Sequence, residues 1–132
     1  MERKHDVDRA NGADHPHARR ERDAQVRLLD KGADQIAPRP WQPEAGATPS
    51  AVDLTQYALW RASELTQDEL LGALSLLPSA RAEVENVEVA LLFVARSEGL
   101  TWAQIAEAMG FRSPQACQQY VNRLSARQDG RA

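Results

Sequence analysis

The apolar positions of the chain show two textures that meet near residue 50. From Val52 onward they recur at helical spacing. The stretch "VDLTQYALWRASEL" sets Leu54, Tyr57, Ala58 and Leu65 roughly along one side. In "TQDELLGALSLL", Leu70, Ala73, Leu74 and Leu77 follow the i, i+3, i+4, i+7 rule of an amphipathic helix. Thr66 and Glu69 stand at the spacing of a reciprocal capping box, and Pro78 predicts the helix end. Ser79 is placed to cap the longest predicted helix, "ARAEVENVEVALLFVARSE". Its first half alternates acid and valine. Its second half, Val89 to Ala95, is an unbroken apolar run expected at the centre of the core. Gly99 falls where a left-handed C-terminal cap belongs, with Leu100 positioned to pack back on the helix. No alternating pattern and no Asn-Gly or Asp-Gly turn between apolar runs predicts a strand.

The first fifty residues lack sustained apolar periodicity, and four prolines fall within "PRPWQPEAGATP". Such a composition predicts a disordered arm and linker over residues 1–50. A short helix around "ARRERDAQVRLLD" would gather Val26, Leu28 and Leu29, but an isolated helix of that length is marginal in water. The expected architecture is therefore all-α: a disordered N-terminal arm, then a helical bundle over 51–132.

The C-terminal stretch "GLTWAQIAEAMGFRSPQACQQYVNRL" carries two further helical patterns. Thr101 and Gln104 repeat the capping-box spacing, and Trp102, Ile105, Ala106 and Met109 form the stripe of a two-turn helix stopped by Gly110. Ser113-Pro114 is a second start signal, serine as cap and proline at the first helical position. In the last helix Cys117, Tyr120, Val121 and Leu124 lie between about 140° and 240° on a projection with Gln115 at zero. Gln118, Asn122, Gln115 and Gln119 lie between about −60° and +40°, so the carboxamides share the opposite, outward face. Arg123 borders them, and Arg127 and Arg131 continue toward the C-terminus.

Charge sharpens this picture. The net charge of −3 is not that of a generally basic nucleic-acid binder. Residues 1–50 balance nine basic against nine acidic side chains, residues 51–100 carry three against eight, and residues 101–132 carry four against two. Only the C-terminal segment is positive. A single cysteine, Cys117, excludes an intramolecular disulfide and a multi-cysteine zinc site. It lies on the apolar stripe with no nearby histidine to act as base, so a catalytic role is not expected. The histidines, His5, His15 and His17, fall in the N-terminal arm, and neither a metal nor a cofactor is expected. The N-terminus has no signal-type apolar core and no run is long enough to span a bilayer, which predicts a cytoplasmic protein.

Two helices joined by a glycine turn, after a long apolar helix, match the helix-turn-helix plan. "LTWAQIAEAMGFRSPQACQQYVNRL" resembles the helix-turn-helix of sigma-factor region 4 and of small bacterial regulators built on the same unit. The shared features are an "I-A-x-x-x-G" first helix and a serine-started second helix, over about 25 residues of the chain. The resemblance implies a tri-helical DNA-binding core whose helix-turn-helix is at 101–127, with Ala106 at the helix crossing, Gly110 as the turn, and Gln115, Gln118, Gln119 and Asn122 facing the groove. The chain departs from that pattern by one extra residue between Gly110 and Ser113, and nothing upstream resembles a promoter-melting region. A sequence-specific transcriptional regulator is the better fit than a complete sigma factor.

A carboxamide offers one donor and one acceptor and matches the adenine edge in the major groove. The amides are accordingly expected to read bases, while Thr101, Arg112, Ser113, Arg123 and Arg127 hold phosphates of double-stranded DNA. Four basic side chains are few for a monomer, because phosphate neutralisation supplies most non-specific affinity. That motivates a homodimer through residues 52–77, whose other role would be to cover the helix at 79–98 within one chain. The acids Glu83, Glu85 and Glu88 on that helix would face away from DNA or recruit a basic protein. The alternative reading is a helical interaction module that docks on polymerase, a sigma factor or another regulator without touching DNA.

Overall fold

The computed structural model describes the backbone of residues 2–42 and 48–131, and the side chains of residues 15–42 and 48–130. Among the described residues there is no strand. Among the described residues six α-helices follow one another: α1 (Glu2–Asp30), α2 (Ala51–Trp60), α3 (Gln67–Ser75), α4 (Leu77–Ser97), α5 (Trp102–Met109) and α6 (Pro114–Arg131). Short 3₁₀ turns at Ala33–Gln35 and Ala62–Glu64 follow α1 and α2. None of the described helices is long and apolar enough to cross a membrane.

The chain divides into two compact units, one ending at Arg81 and the other beginning at Ala82. The first is built on α1. Ala24 and Leu28, one turn apart on that helix, are buried with Ala33, with Leu54, Tyr57 and Ala58 of α2, and with Leu76. Leu29, Ile36, Leu65 and Ala73 pack around them. Gly72 lets α3 come close to α1, since a Cβ there would lie 3.2 Å from that of Ala24. Polar contacts fasten the same helices. The Tyr57 hydroxyl donates to the Lys31 carbonyl at 2.8 Å, and the Lys31 ammonium lies 3.0 Å from the Glu69 carboxylate. Glu69 also accepts from the Thr66 backbone N–H at 3.0 Å, while Thr66 Oγ1 accepts from Glu69 N–H, completing the expected capping box.

The disordered arm expected over residues 1–50 does not hold for residues 15–36. A helix too polar to stand alone is held by tertiary burial: Ala24 and Leu28 are almost fully enclosed, and burying a leucine contributes about 1.5–3 kcal/mol. Residues 37–42 and 48–50 join α1 to α2 without a helix, and the part of the expected linker at residues 43–47 lies outside the described residues.

The compact units divide at 81/82 and not at the boundary expected at 50/51, because Leu54, Tyr57 and Ala58 of α2 are buried with Ala24 and Leu28 of α1. Pro78 does not merely end α3; it sits in the first turn of α4, which starts at Leu77, where a missing N–H costs nothing. Ser79 is consequently inside the helix and not its cap, and its hydroxyl donates to the carboxylate of Glu21 on α1.

The second unit joins the later part of α4 to α5 and α6. Leu92, Ile105, Ala106, Cys117 and Leu124 form its buried centre, with Val89, Ala95, Trp102, Phe111, Tyr120 and Val121 partly buried around it. The apolar run of α4 is thus only in part the core element expected. Leu91, Phe93 and Val94 are more than half exposed, because α5 and α6 pack on one side of α4 and a continuous apolar run has more than one side.

Candidate nucleic-acid interface

Local chemistry sets the frame of the second unit. Gly99, at φ 87°, closes α4: the Leu100 N–H bonds to the Ala95 carbonyl and the Gly99 N–H to the Arg96 carbonyl, both at 3.0 Å. The Arg96 guanidinium donates to the Leu100 carbonyl at 2.8 Å and lies 4.9 Å from the centre of the Trp102 ring, pinning the turn into α5. Thr101 caps α5 as expected, its hydroxyl accepting from the Gln104 N–H at 3.1 Å while Gln104 Oε1 accepts from the Thr101 N–H at 2.9 Å. Gly110 ends α5 at φ 80°, with the Phe111 N–H bonded to the Ala106 carbonyl at 2.8 Å. Phe111 then packs against Tyr120 at 5.3 Å between ring centres, which ties the turn to α6. Ser113 Oγ accepts from the Ala116 N–H at 3.1 Å, the cap anticipated before Pro114.

These constraints set the rotation of α6. Cys117 and Leu124 have no exposed surface, and Tyr120 and Val121 are half-buried beside them. Gln115, Gln118, Gln119 and Asn122 are all exposed, on the face opposite that stripe. From Gln115 to Asn122 they extend over two turns, about 10 Å of helix. Arg123 and Arg112 are exposed as well, the first next to the amides and the second in the turn before α6. Burial pushes the Cys117 thiol above its ordinary range, so it is a protonated, unreactive apolar group.

Not every side chain expected to meet phosphate is uncommitted. The Thr101 hydroxyl lies 3.2 Å from Gln104 Oε1 and donates to it, and the Ser113 hydroxyl is half-buried as a cap. The Arg127 guanidinium lies 3.8 Å from the Glu85 carboxylate of α4. The Tyr120 hydroxyl donates to Glu88, also on α4, and that bond raises the Tyr120 pKa above its ordinary value. Two of the three acids expected to form a solvated or recruiting face therefore fasten α4 to α6. Sequence spacing could not reveal these partners, which lie more than thirty residues away and meet only where the helices cross. The one available signal was the position of Tyr120 on the apolar stripe with a hydroxyl that needs a partner.

Among the described residues no group of three or more His, Cys, Asp or Glu side chains is placed to hold a metal ion. No family model, curated protein or solved structure matches the chain.

Proposed function

We propose that the chain is a sequence-specific DNA-binding transcriptional regulator in which α5 and α6 act as a helix-turn-helix and α6 enters the major groove. The observation that carries this reading is the two-sidedness of α6: Cys117 and Leu124 are fully enclosed while four carboxamides, with no acid among them, stand exposed on the other side. A helix fits the major groove, and an amide presents adenine with both a donor and an acceptor. Gln115, Gln118, Gln119 and Asn122 read base edges. Arg112 and Arg123 contact phosphates, and Arg127 joins them to the extent that phosphate outcompetes Glu85. Thr101 and Ser113 serve chiefly by holding the helix starts that set the approach.

Binding-site selection on random duplex DNA, followed by mobility shifts at two salt concentrations, tests the proposal. A regulator of this kind selects a motif and loses affinity steeply as salt rises. Replacing Gln118 and Asn122 by alanine lowers preference for that motif by about 1–3 kcal/mol per lost bidentate contact while leaving affinity for random duplex nearly unchanged. No shift at either salt concentration would leave the interaction-module alternative in its place, and an unchanged motif in the double variant would remove the amides from base reading.

A further inference from the structure

The exposed face of α6 carries a restricted set of chemistries. With Gln115 at zero, Gln118, Gln119 and Asn122 lie between about −60° and +40°, and Ala126, one turn beyond Asn122, lies at about 20°, in the middle of the carboxamide row. All five side chains are exposed. From Gln115 to Ala126 this arc holds no arginine, no lysine and no carboxylate; the first acid on it is Asp129. Arg123, at about 80°, borders the arc from outside. The Arg127 guanidinium lies further round, at about 120°, and 3.8 Å from Glu85 of α4.

Each missing type is suited to a base that the face is not built to read. Guanine offers two acceptors, N7 and O6, and is matched by the donors of arginine or lysine, whereas cytosine offers the N4 donor and is matched by a carboxylate. Adenine offers an acceptor at N7 and a donor at N6, which one carboxamide meets together, and thymine presents a methyl group to a small apolar side chain such as alanine. We infer that the DNA recognised by α6 is a short block of A·T pairs, its adenines read by the carboxamides and a thymine methyl met by Ala126. That composition holds only with α6 in the major groove, so it rests on the chain being a DNA-binding regulator. Helix geometry sets the length. Gln115 to Asn122 covers about 10 Å, and base pairs rise by about 3.4 Å, so the amides reach about three steps, or about four base pairs. Ala126 lies about 6 Å further along, at the end of the block. Arg112 in the turn and Arg123 beside the row meet the phosphates at its borders.

Binding-site selection with the full chain on random duplex DNA reads the composition, and base analogues in the selected duplex read the chemistry. The selected core is expected to be about four consecutive A·T pairs. Exchanging its adenines one at a time for 7-deazaadenine keeps Watson–Crick pairing and the minor groove but deletes the N7 acceptor, and is expected to weaken binding about five- to hundredfold at the positions read. Exchanging thymine for deoxyuridine removes only the methyl group and is expected to weaken binding severalfold at the end met by Ala126. Both changes leave the protein untouched, so misfolding cannot imitate them. Gln118→Arg, at an exposed position, is expected to move the preference at one base pair from adenine to guanine. A selected core of G·C pairs overturns the inference while leaving the chain a DNA binder. So does an A·T core indifferent to 7-deazaadenine, the mark of a protein that reads groove width, or a core unchanged by Gln118→Arg. Indifference to deoxyuridine removes Ala126 from the reading face, and absence of any DNA binding removes the inference together with the regulator.

Discussion

Truncating Leu124 to alanine tests the rotation of α6 on which the amide face depends. Leu124 has no exposed surface and lies among Leu92, Ile105, Ala106 and Cys117. Removing its isobutyl group costs the transfer energy of the lost methyls plus the cavity left behind, about 2–5 kcal/mol across leucine-to-alanine substitutions. Full enclosure leaves little room to collapse, so we expect about 3–4 kcal/mol here. The unit from Ala82 to Ala132 has 51 residues, and at 0.05–0.15 kcal/mol per residue its stability is about 3–8 kcal/mol. The substitution should therefore remove about half of it or more. A local reporter reads the second unit by itself. Trp102 packs against the second core, whereas Trp41 and Trp60 are 79% and 75% exposed in the first unit. With Trp41→Phe and Trp60→Phe as background, urea unfolding followed by Trp102 fluorescence reports the second unit. Gln118→Ala, on the exposed side of the same helix, should change the midpoint by less than about 0.5 kcal/mol. A loss below about 1 kcal/mol for Leu124→Ala, or an equal loss for Gln118→Ala, would refute the orientation of α6 and with it the base-reading role of its amides.

Gly110→Ala is expected to destabilise the same unit by about 1–2 kcal/mol, since the residue sits at φ 80° with open space around a new Cβ, leaving backbone strain as the only cost. The same Trp102 titration measures it. In the first unit, hydrogen bonding from the Thr66 backbone N–H, and secondarily from Lys31, holds the Glu69 carboxyl below its ordinary value of 4.5. The folded-state value is lowered, so the stabilisation is fully present above the ordinary carboxylate range and is lost as pH falls through the folded value. Urea midpoints between about pH 6 and about pH 3 should fall more for wild type than for Glu69→Gln, and parallel curves would count against that role. For Tyr120, whose folded value is raised by Glu88, the sign is opposite: the contribution is complete below the ordinary value of 10.0 and disappears as pH rises past the folded value. Tyr120→Phe should accordingly show a flatter loss of stability in alkaline urea titrations than wild type.

Local signals in the sequence carried the elements that depend on neighbours a turn or so away. Thr66 with Glu69, Thr101 with Gln104, Ser113 before Pro114, and the glycines closing α4 and α5 each satisfy backbone groups within six residues, so their roles follow from spacing alone. The two-sidedness of α6 was legible for the same reason, because helical periodicity fixes which residues share a face whatever the helix packs against. Tertiary structure alone decided what covers each face. Ala24 and Leu28 make a stripe too weak to predict a stable helix, yet α2 and Leu76 enclose them. The run from Val89 to Ala95 is apolar all round, and only the placement of α5 and α6 determined that Leu92 would be buried while Leu91 and Val94 remained outside. Burial is a property of the partner surface as much as of the side chain, and that surface comes from residues far along the chain.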